Sequence, residues 1–273
     1  MTPELVTQCR LATEQWRGWL ISSVSQQGKR HHQRSVPTDD ALLVAAAGDH
    51  LLLGVADGVS SCRLSRIGSE HALAAIYAHV DKALLESGGT PSPDILAHAM
   101  ANAHYALQSL ADQTGAAIDD YATTVATVLI GPTTIHAANI GDSSLAYLTK
   151  TRSAANPDTA TLLPLCSAPQ QDDGVTPITF PNWNTFLQLA SHPVDGIEAV
   201  LLATDGAEDF LFNGQNATGQ PLNPAAVNAY LDGINDLTPR RLPLFLAGYL
   251  QQLDTGTDDR SLIIASPHPG LTP

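Results

Sequence analysis

Basic residues are scarce in this chain. Its 273 residues hold 13 Lys and Arg against 27 Asp and Glu, a formal charge of −14. That balance excludes the backbone of a nucleic acid as the expected partner, because such binding runs on Lys and Arg neutralising phosphates. The densest basic stretch is only Lys29-Arg30-His31-His32-Gln33-Arg34. Cysteine is as sparse: Cys9, Cys62 and Cys166 stand apart, odd in number, with no Cys-x-x-Cys pair. A disulfide framework and a thiolate zinc site are thereby excluded, and a reducing cytoplasm becomes the expected compartment. No apolar run approaches the roughly 20 residues that span a bilayer, so no membrane partner is expected. Glu4, Arg10, Glu14 and Arg17 break up the opening stretch, which does not read as a secretion signal. The chain also lacks a Pro/Ser/Gly linker, an internal repeat, a GxSxG elbow and a GxxxxGK[ST] loop. The missing linker favours one domain over residues 1–273, and the missing motifs exclude the hydrolase-elbow and P-loop classes.

What is present is an ordinary globular composition, 44% hydrophobic and 15% charged, enough for a substantial core. Four apolar stretches carry an Asp at one end: Leu51-Leu52-Leu53-Gly54-Val55-Ala56-Asp57-Gly58, Ala138-Asn139-Ile140-Gly141-Asp142-Ser143, Leu201-Leu202-Ala203-Thr204-Asp205-Gly206, and Asp258-Asp259-Arg260-Ser261-Leu262-Ile263-Ile264. Carboxylates at strand ends can converge on one edge of a sheet, where hard divalent cations bind.

Residues 1–18 show no clear period and are expected to form an N-terminal arm or helix. Trp19 to Ser25 reads as a strand and residues 26–40 as a polar loop. Ala41–Ala47 and His50–Ala56 read as two strands joined by a Gly48-Asp49 turn, which sets Asp40 and Asp57 at the same end of one hairpin. Leu73, Ile76, Val80 and Leu84 form a helical stripe, and Ile95, Ala99, Ala103, Ala106 and Leu110 a second. Strands at 122–130, 134–139 and 144–148 are expected to form an antiparallel meander. Residues 150–193 read as a loop-rich insertion, 197–203 as a strand, 207–212 as one or two helical turns, 213–223 as a polar loop, 224–232 and 239–253 as helices, and 260–265 as the closing strand. Helices fall between groups of antiparallel strands and do not follow every strand, so the fold class is α+β.

Taken together, four segments resemble the metal-dependent serine/threonine phosphatases of type 2C (the PPM family). The family's "ADG" hairpin is similar to Val55-Ala56-Asp57-Gly58, and its "TT…ANxGDSRxY" stretch to Thr123-Thr124 followed by Ala138-Asn139-Ile140-Gly141-Asp142-Ser143-Ser144-Leu145-Ala146-Tyr147. Its "LxSDGxxD" is matched by Leu202-Ala203-Thr204-Asp205-Gly206-Ala207-Glu208-Asp209, and its closing "DNxT" by Asp258-Asp259-Arg260-Ser261. The order is the family's, over residues 28–266. Gly28, His31, Pro37 and Asp40-Ala41 resemble the opening of a compact bacterial branch.

The resemblance implies two stacked antiparallel sheets with helices on both outer faces. It implies hydrolysis of phosphoserine and phosphothreonine in proteins by a metal-activated water, and a serine/threonine kinase as natural counterpart. Two Mn²⁺ or Mg²⁺ ions are implied, with Asp57 as bridge beside the Gly58 carbonyl, Asp205 and Asp258 on one ion, Asp40 on the other, and Asp142 for a third, weaker ion. Arg34 is the nearest candidate to grip the phosphate, with Arg30 the other, and His31 holds the compact branch's His position. Two departures stand out. Val59 occupies the place where many members carry a His, so the proton for the leaving oxygen comes from water or a loop His. Asp39-Asp40 replaces Glu-Asp, so Asp39 reaches an ion directly or only through water. A silent member that binds a phosphoprotein or a kinase is the second reading; retention of Asp57, Asp205 and Asp258 weighs against it. An esterase with Ser143 as nucleophile is the third, and the motif's late position in the chain opposes it.

Overall fold

In the computed structural model two six-stranded antiparallel sheets stack face to face. The structure describes residues 4–6, 10–153, 156–166, 175–210, 246, 248 and 258–268. The first sheet holds β1 (Glu4–Val6), β4 (Ala41–Ala47), β5 (His50–Ala56), β6 (Val125–Ile130), β7 (Thr134–Ile140) and β10 (Gln188–Pro193), in that spatial order. The second runs β2 (Arg10–Trp16), β3 (Trp19–Gln26), β12 (Arg260–Pro267), β11 (Ile197–Ala203), β8 (Ser144–Ser153) and β9 (Asn156–Pro164). Helices α2 (Ser65–Glu86) and α3 (Ile95–Thr114) pack together on the outer face of the first sheet, and a short helix α1 (Lys29–Arg34) lies in the loop before β4. The α+β class and the stacked sheets are as the sequence implies. No described helix is long and apolar enough to cross a membrane.

The first sheet is covered on both faces, which explains why β4 and β5 read as unbroken apolar runs and not as alternating ones. Leu43, Ala45 and Leu52 point toward Leu73, Ile76 and Val80 of α2, while Leu42, Val44, Leu51 and Leu53 meet Val200, Leu202 and Ile263 of the second sheet. Each fully buried Leu or Ile contributes about 1.5–3 kcal/mol. The stripe predicted on α2, Leu73, Ile76, Val80 and Leu84, is the face that buries; on α3 Ile95, Ala99 and Ala103 bury as predicted, while Ala106 and Leu110 are half-buried and Leu107 and Ala111 take the buried places.

The structure corrects three expectations. Residues 1–18 supply no described helix; they give an edge strand to each sheet, β1 against β4 and β2 against β3. An edge strand borrows its order from one neighbour, so its own sequence need carry little period. The meander breaks after its second strand. β7 pairs with β6 and β10, but β8 joins the other sheet beside β11, so the chain changes sheets at Gly141-Asp142-Ser143. Gly141 has φ +106°, open only to glycine, and a Cβ there would collide with Thr124. Within 150–193 the described residues are largely strand: β8 and β9 form a hairpin and β10 edges the first sheet. The helices expected at 224–232 and 239–253 and the polar loop at 213–223 lie outside the described residues, except that Leu246 and Gly248 are helical and Leu246 is buried.

Candidate active site

Four separate turns bring carboxylates to one mouth between the sheets. Ala41 pairs with Ala56 in the hairpin, so Asp40 and Asp57 stand side by side at its open end. β11 passes through Thr204 to Asp205, Asp258 lies two residues before β12, and Asp142 comes from the crossover between sheets. Asp57, Asp142, Asp205 and Asp258 line one cleft with Gly58, Val59, Ser60, Thr124 and Val175. Asp40 sits behind it, 1% exposed.

The backbone is fixed at each of these turns. The Asp57 carbonyl accepts from Thr124 N at 2.8 Å and lies 2.9 Å from Thr123 Oγ1. Ser69 Oγ, on α2, reaches both Thr123 Oγ1 (3.0 Å) and the Asp39 carbonyl (2.8 Å). Gly58 is squeezed: a Cβ would stand 2.7 Å from the Asp39 carbonyl oxygen and 3.0 Å from the Ser65 carbonyl carbon. Gly206 is tighter still, its missing Cβ falling on the Asp259 carbonyl. Ser261 N donates to Thr204 Oγ1 at 3.0 Å, and Thr204 Oγ1 donates to Asp40 Oδ2 at 2.9 Å, which aims the Asp40 carboxylate.

Negative charge accumulates here without compensation. Burial, then repulsion from Asp40, Asp205 and Asp142, pushes the Asp57 carboxyl well above the usual carboxylate range. Burial and Asp259 do the same to Asp40. Asp205 is exposed as a residue, yet desolvation, followed by repulsion from Asp258 and Asp259, raises its carboxyl. Asp142 is raised to about 6, by burial first and by Asp205 second, and its Oδ1 is buried with no hydrogen-bond partner.

These features fit a divalent metal centre. The donors are oxygens, as Mg²⁺ and Mn²⁺ require. Burial and mutual repulsion raise these carboxyls, a cost that a bound cation would offset, and the buried Asp142 Oδ1 is an acceptor without a hydrogen-bond partner at the same cleft. Among the described residues no three His, Cys, Asp or Glu side chains already clasp one point.

The other anticipated residues are distributed differently. His31 is buried beside the cleft and does not line it; its Nδ1 donates to Asp259 Oδ2 at 2.7 Å and its Nε2 lies 3.2 Å from Asp39 Oδ2. Arg34 is exposed in the last turn of α1. Arg30, also exposed, reaches the rim, Nη1 donating to Ser60 Oγ at 3.3 Å. Ser143 is 1% exposed with its Oγ 3.3 Å from Thr124 Oγ1, no posture for an attacking serine. Asp39 is half-buried, and Val59 lines the cleft.

Thr204, Ser69 and Asp259 were not singled out by sequence. Asp258 lines the cleft, while Asp259 beside it is buried, 3% exposed.

A model of the family described as protein phosphatase 2C matches residues 27–240. The chain belongs to the protein phosphatase 2C family. Its members are serine/threonine phosphatases, and metal-dependent dephosphorylation is the family's general activity. No curated protein sequence matches the chain. Among solved structures the phosphatase 2C chain is similar to the serine-threonine phosphatase 2C of Toxoplasma gondii, with 13% identity, a TM-score of 0.64, and 97% of this chain and 99% of that one covered. It is similar also to the serine/threonine phosphatase Stp1 of Staphylococcus aureus, with 13% identity, a TM-score of 0.63, and 96% and 99% covered. A third, RsbX in complex with magnesium, aligns at 12% identity and a TM-score of 0.51, with 94% and 99% covered. At such identities these likenesses speak for the fold.

Proposed function

We propose that this single-domain protein removes phosphate from phosphoserine and phosphothreonine in proteins at a site for two divalent ions, Mn²⁺ or Mg²⁺. Asp57, the Gly58 carbonyl, Asp205 and Asp258 would hold them, with Asp40 behind and Asp142 available to a third, weaker ion. The observation that carries this reading is the cleft itself: four carboxylates from four separated turns, and no Lys, Arg or His among the described residues that line it. Bound there, the ions would supply an attacking water of lowered pKa and neutralise phosphoryl charge.

The chain's own part is to orient and to bind. Thr204 directs Asp40, and Thr123 and Thr124 fix the turn that carries Asp57 and Gly58. At the rim, Arg30 offers a planar guanidinium, the side chain suited to two phosphate oxygens at once. This favours Arg30 over Arg34 as the phosphate grip. Val59 has no proton to give beside Asp57, and His31 is engaged at both nitrogens, which favours water as the proton source for the leaving oxygen. A kinase acting on the same phosphoprotein would be the natural counterpart. A cytoplasmic place of action accords with Cys62 and Cys166 being free thiols.

The test is turnover of p-nitrophenyl phosphate and a phosphothreonine peptide with Mn²⁺, with Mg²⁺ and with EDTA. Release of phosphate that needs the metal and stops with chelator is expected. Inactivity with every divalent ion would instead favour a binder that hydrolyses nothing.

A further inference from the structure

We propose that Asp259 and His31 are positioning residues that clamp the segment from Gly28 to Asp40 over the site, so that Arg30 reaches the rim at Ser60 and Asp40 stays beside Asp57. The inference rests on the phosphatase reading above. Its structural basis is one buried carboxylate that gathers three points of a segment more than two hundred residues away. Asp259 Oδ1 accepts from Gly28 N at 2.7 Å, where the segment begins. Asp259 Oδ2 accepts from His31 Nδ1 at 2.7 Å in the middle and from Asp39 N at 2.6 Å at the end. His31 then reaches forward, Nε2 to Asp39 Oδ2 at 3.2 Å. With both ends tied, α1 stands between them and presents Arg30 outward to Ser60, a residue of the cleft wall.

The chemistry calls for a carboxylate. All three groups facing Asp259 are N–H donors, and an ionised carboxylate only accepts. The resembled motif has Asn at this place. An amide here would turn an NH₂ group toward at least one of those donors and leave it buried without an acceptor. The same dipeptide therefore does two jobs: Asp258 faces the cleft, and Asp259 holds the wall that carries the phosphate grip. Neither Asp259 nor His31 lines the cleft, so their action passes through Arg30 and Asp40.

The experiment compares wild type with Asp259→Asn, His31→Leu, His31→Asn and Arg30→Gln. Hydrogen exchange of the 28–40 amides is measured together with Mn²⁺-supported hydrolysis of p-nitrophenyl phosphate. Asp259→Asn and His31→Leu are expected to speed exchange at Gly28 and Asp39 and to raise KM about tenfold, the scale of a displaced binding group. His31→Asn, whose amide restores an N–H near the Nδ1 position, is expected to return both readouts toward wild type. Asp259→Asn added to Arg30→Gln should raise KM by less than the product of the two single effects, because the two changes share the Arg30 contact. Wild-type exchange or wild-type KM in Asp259→Asn overturns the proposal, as do additive effects with Arg30→Gln. If Asp259→Asn loses its circular dichroism, the His31 pair decides: equal defects in His31→Leu and His31→Asn overturn the clamp. Absence of turnover in the wild type defeats the phosphatase reading and this role with it, an outcome separate from an active enzyme indifferent to Asp259.

Discussion

Asp57 is held by its neighbours in a state that costs the metal-free protein stability. Its carboxyl is buried and repelled by Asp40, Asp205 and Asp142. Asp57→Asn removes one charge and keeps the shape, so two effects of opposite sign follow. Turnover should fall by about 10²–10³-fold or more, the scale of losing a principal electrostatic group. The melting temperature measured in EDTA should meanwhile rise, because like charges have been relieved. Phosphate release and a thermal melt on the same preparation check both; normal turnover in the folded variant would remove Asp57 from the site. Gly206 offers the converse case. Its Cβ would fall on the Asp259 carbonyl, a backbone atom that cannot swing aside. Gly206→Ala is expected to destabilise by about 1–3 kcal/mol, and to weaken Mn²⁺ binding as Asp205 is displaced; denaturant melts and metal titration read the two losses.

At the scale of the element, strand ends were legible and sheet membership was not. The hairpin from Ala41 to Ala56 could be read from two apolar runs around Gly48-Asp49, and with it the adjacency of Asp40 and Asp57. The helical stripes were legible for the same reason, a period matching one buried face. Nothing in Thr134–Ile140 or Ser144–Ser153 says that they belong to different sheets, since both are strands that bury apolar side chains and are joined by a tight turn. Only the partners decide it, and partners are a property of the tertiary structure. The clamp at Asp259 was illegible likewise: Asp258-Asp259 looks like one acidic patch until the fold sends Asp258 to the cleft and buries Asp259. Docking of α2 depends on a further detail of this kind. Gly68 lies against the carbonyl of Tyr121, in the single 3-10 turn Ile118–Tyr121 that leads into β6. Gly68→Ala would push α2 off that turn and, through Ser69, loosen Thr123 and the Asp39 carbonyl. A loss of about 1–3 kcal/mol in urea unfolding is expected, with reduced turnover at saturating metal. Unchanged stability would show that the helix shifts freely and that Ser69 does not transmit its position.

For the whole molecule, the concentration of carboxylates links stability, pH and metal in one direction. Asp57, Asp40, Asp205 and Asp142 all have raised carboxyl pKa values in the fold, Asp142 to about 6, through burial and mutual repulsion. A raised carboxyl binds its proton more tightly folded than unfolded. The folded state therefore holds the extra protons once pH exceeds the unfolded value near 3.8, and stability falls as pH climbs through the folded values. For Asp142 that loss runs from about pH 4 to about pH 6 and is complete above; the more strongly raised groups extend it upward. The EDTA-treated protein should melt at a lower temperature at pH 8 than at pH 5.5. Mn²⁺ binds the deprotonated carboxylates, so its apparent affinity should increase across the same interval, with protons released on binding. At about 100 times its dissociation constant the ion adds about 2.7 kcal/mol, enough to flatten or reverse the trend. Melts at pH 5.5 and 8, each with EDTA and with Mn²⁺, give four temperatures that settle the matter. A metal-free protein that grows more stable toward pH 8 would mean that the carboxylates are not gathered as the fold places them. A metal-free protein that weakens toward pH 8 and recovers with Mn²⁺ would show that the charge at the cleft is balanced by the ion and by no side chain of the protein.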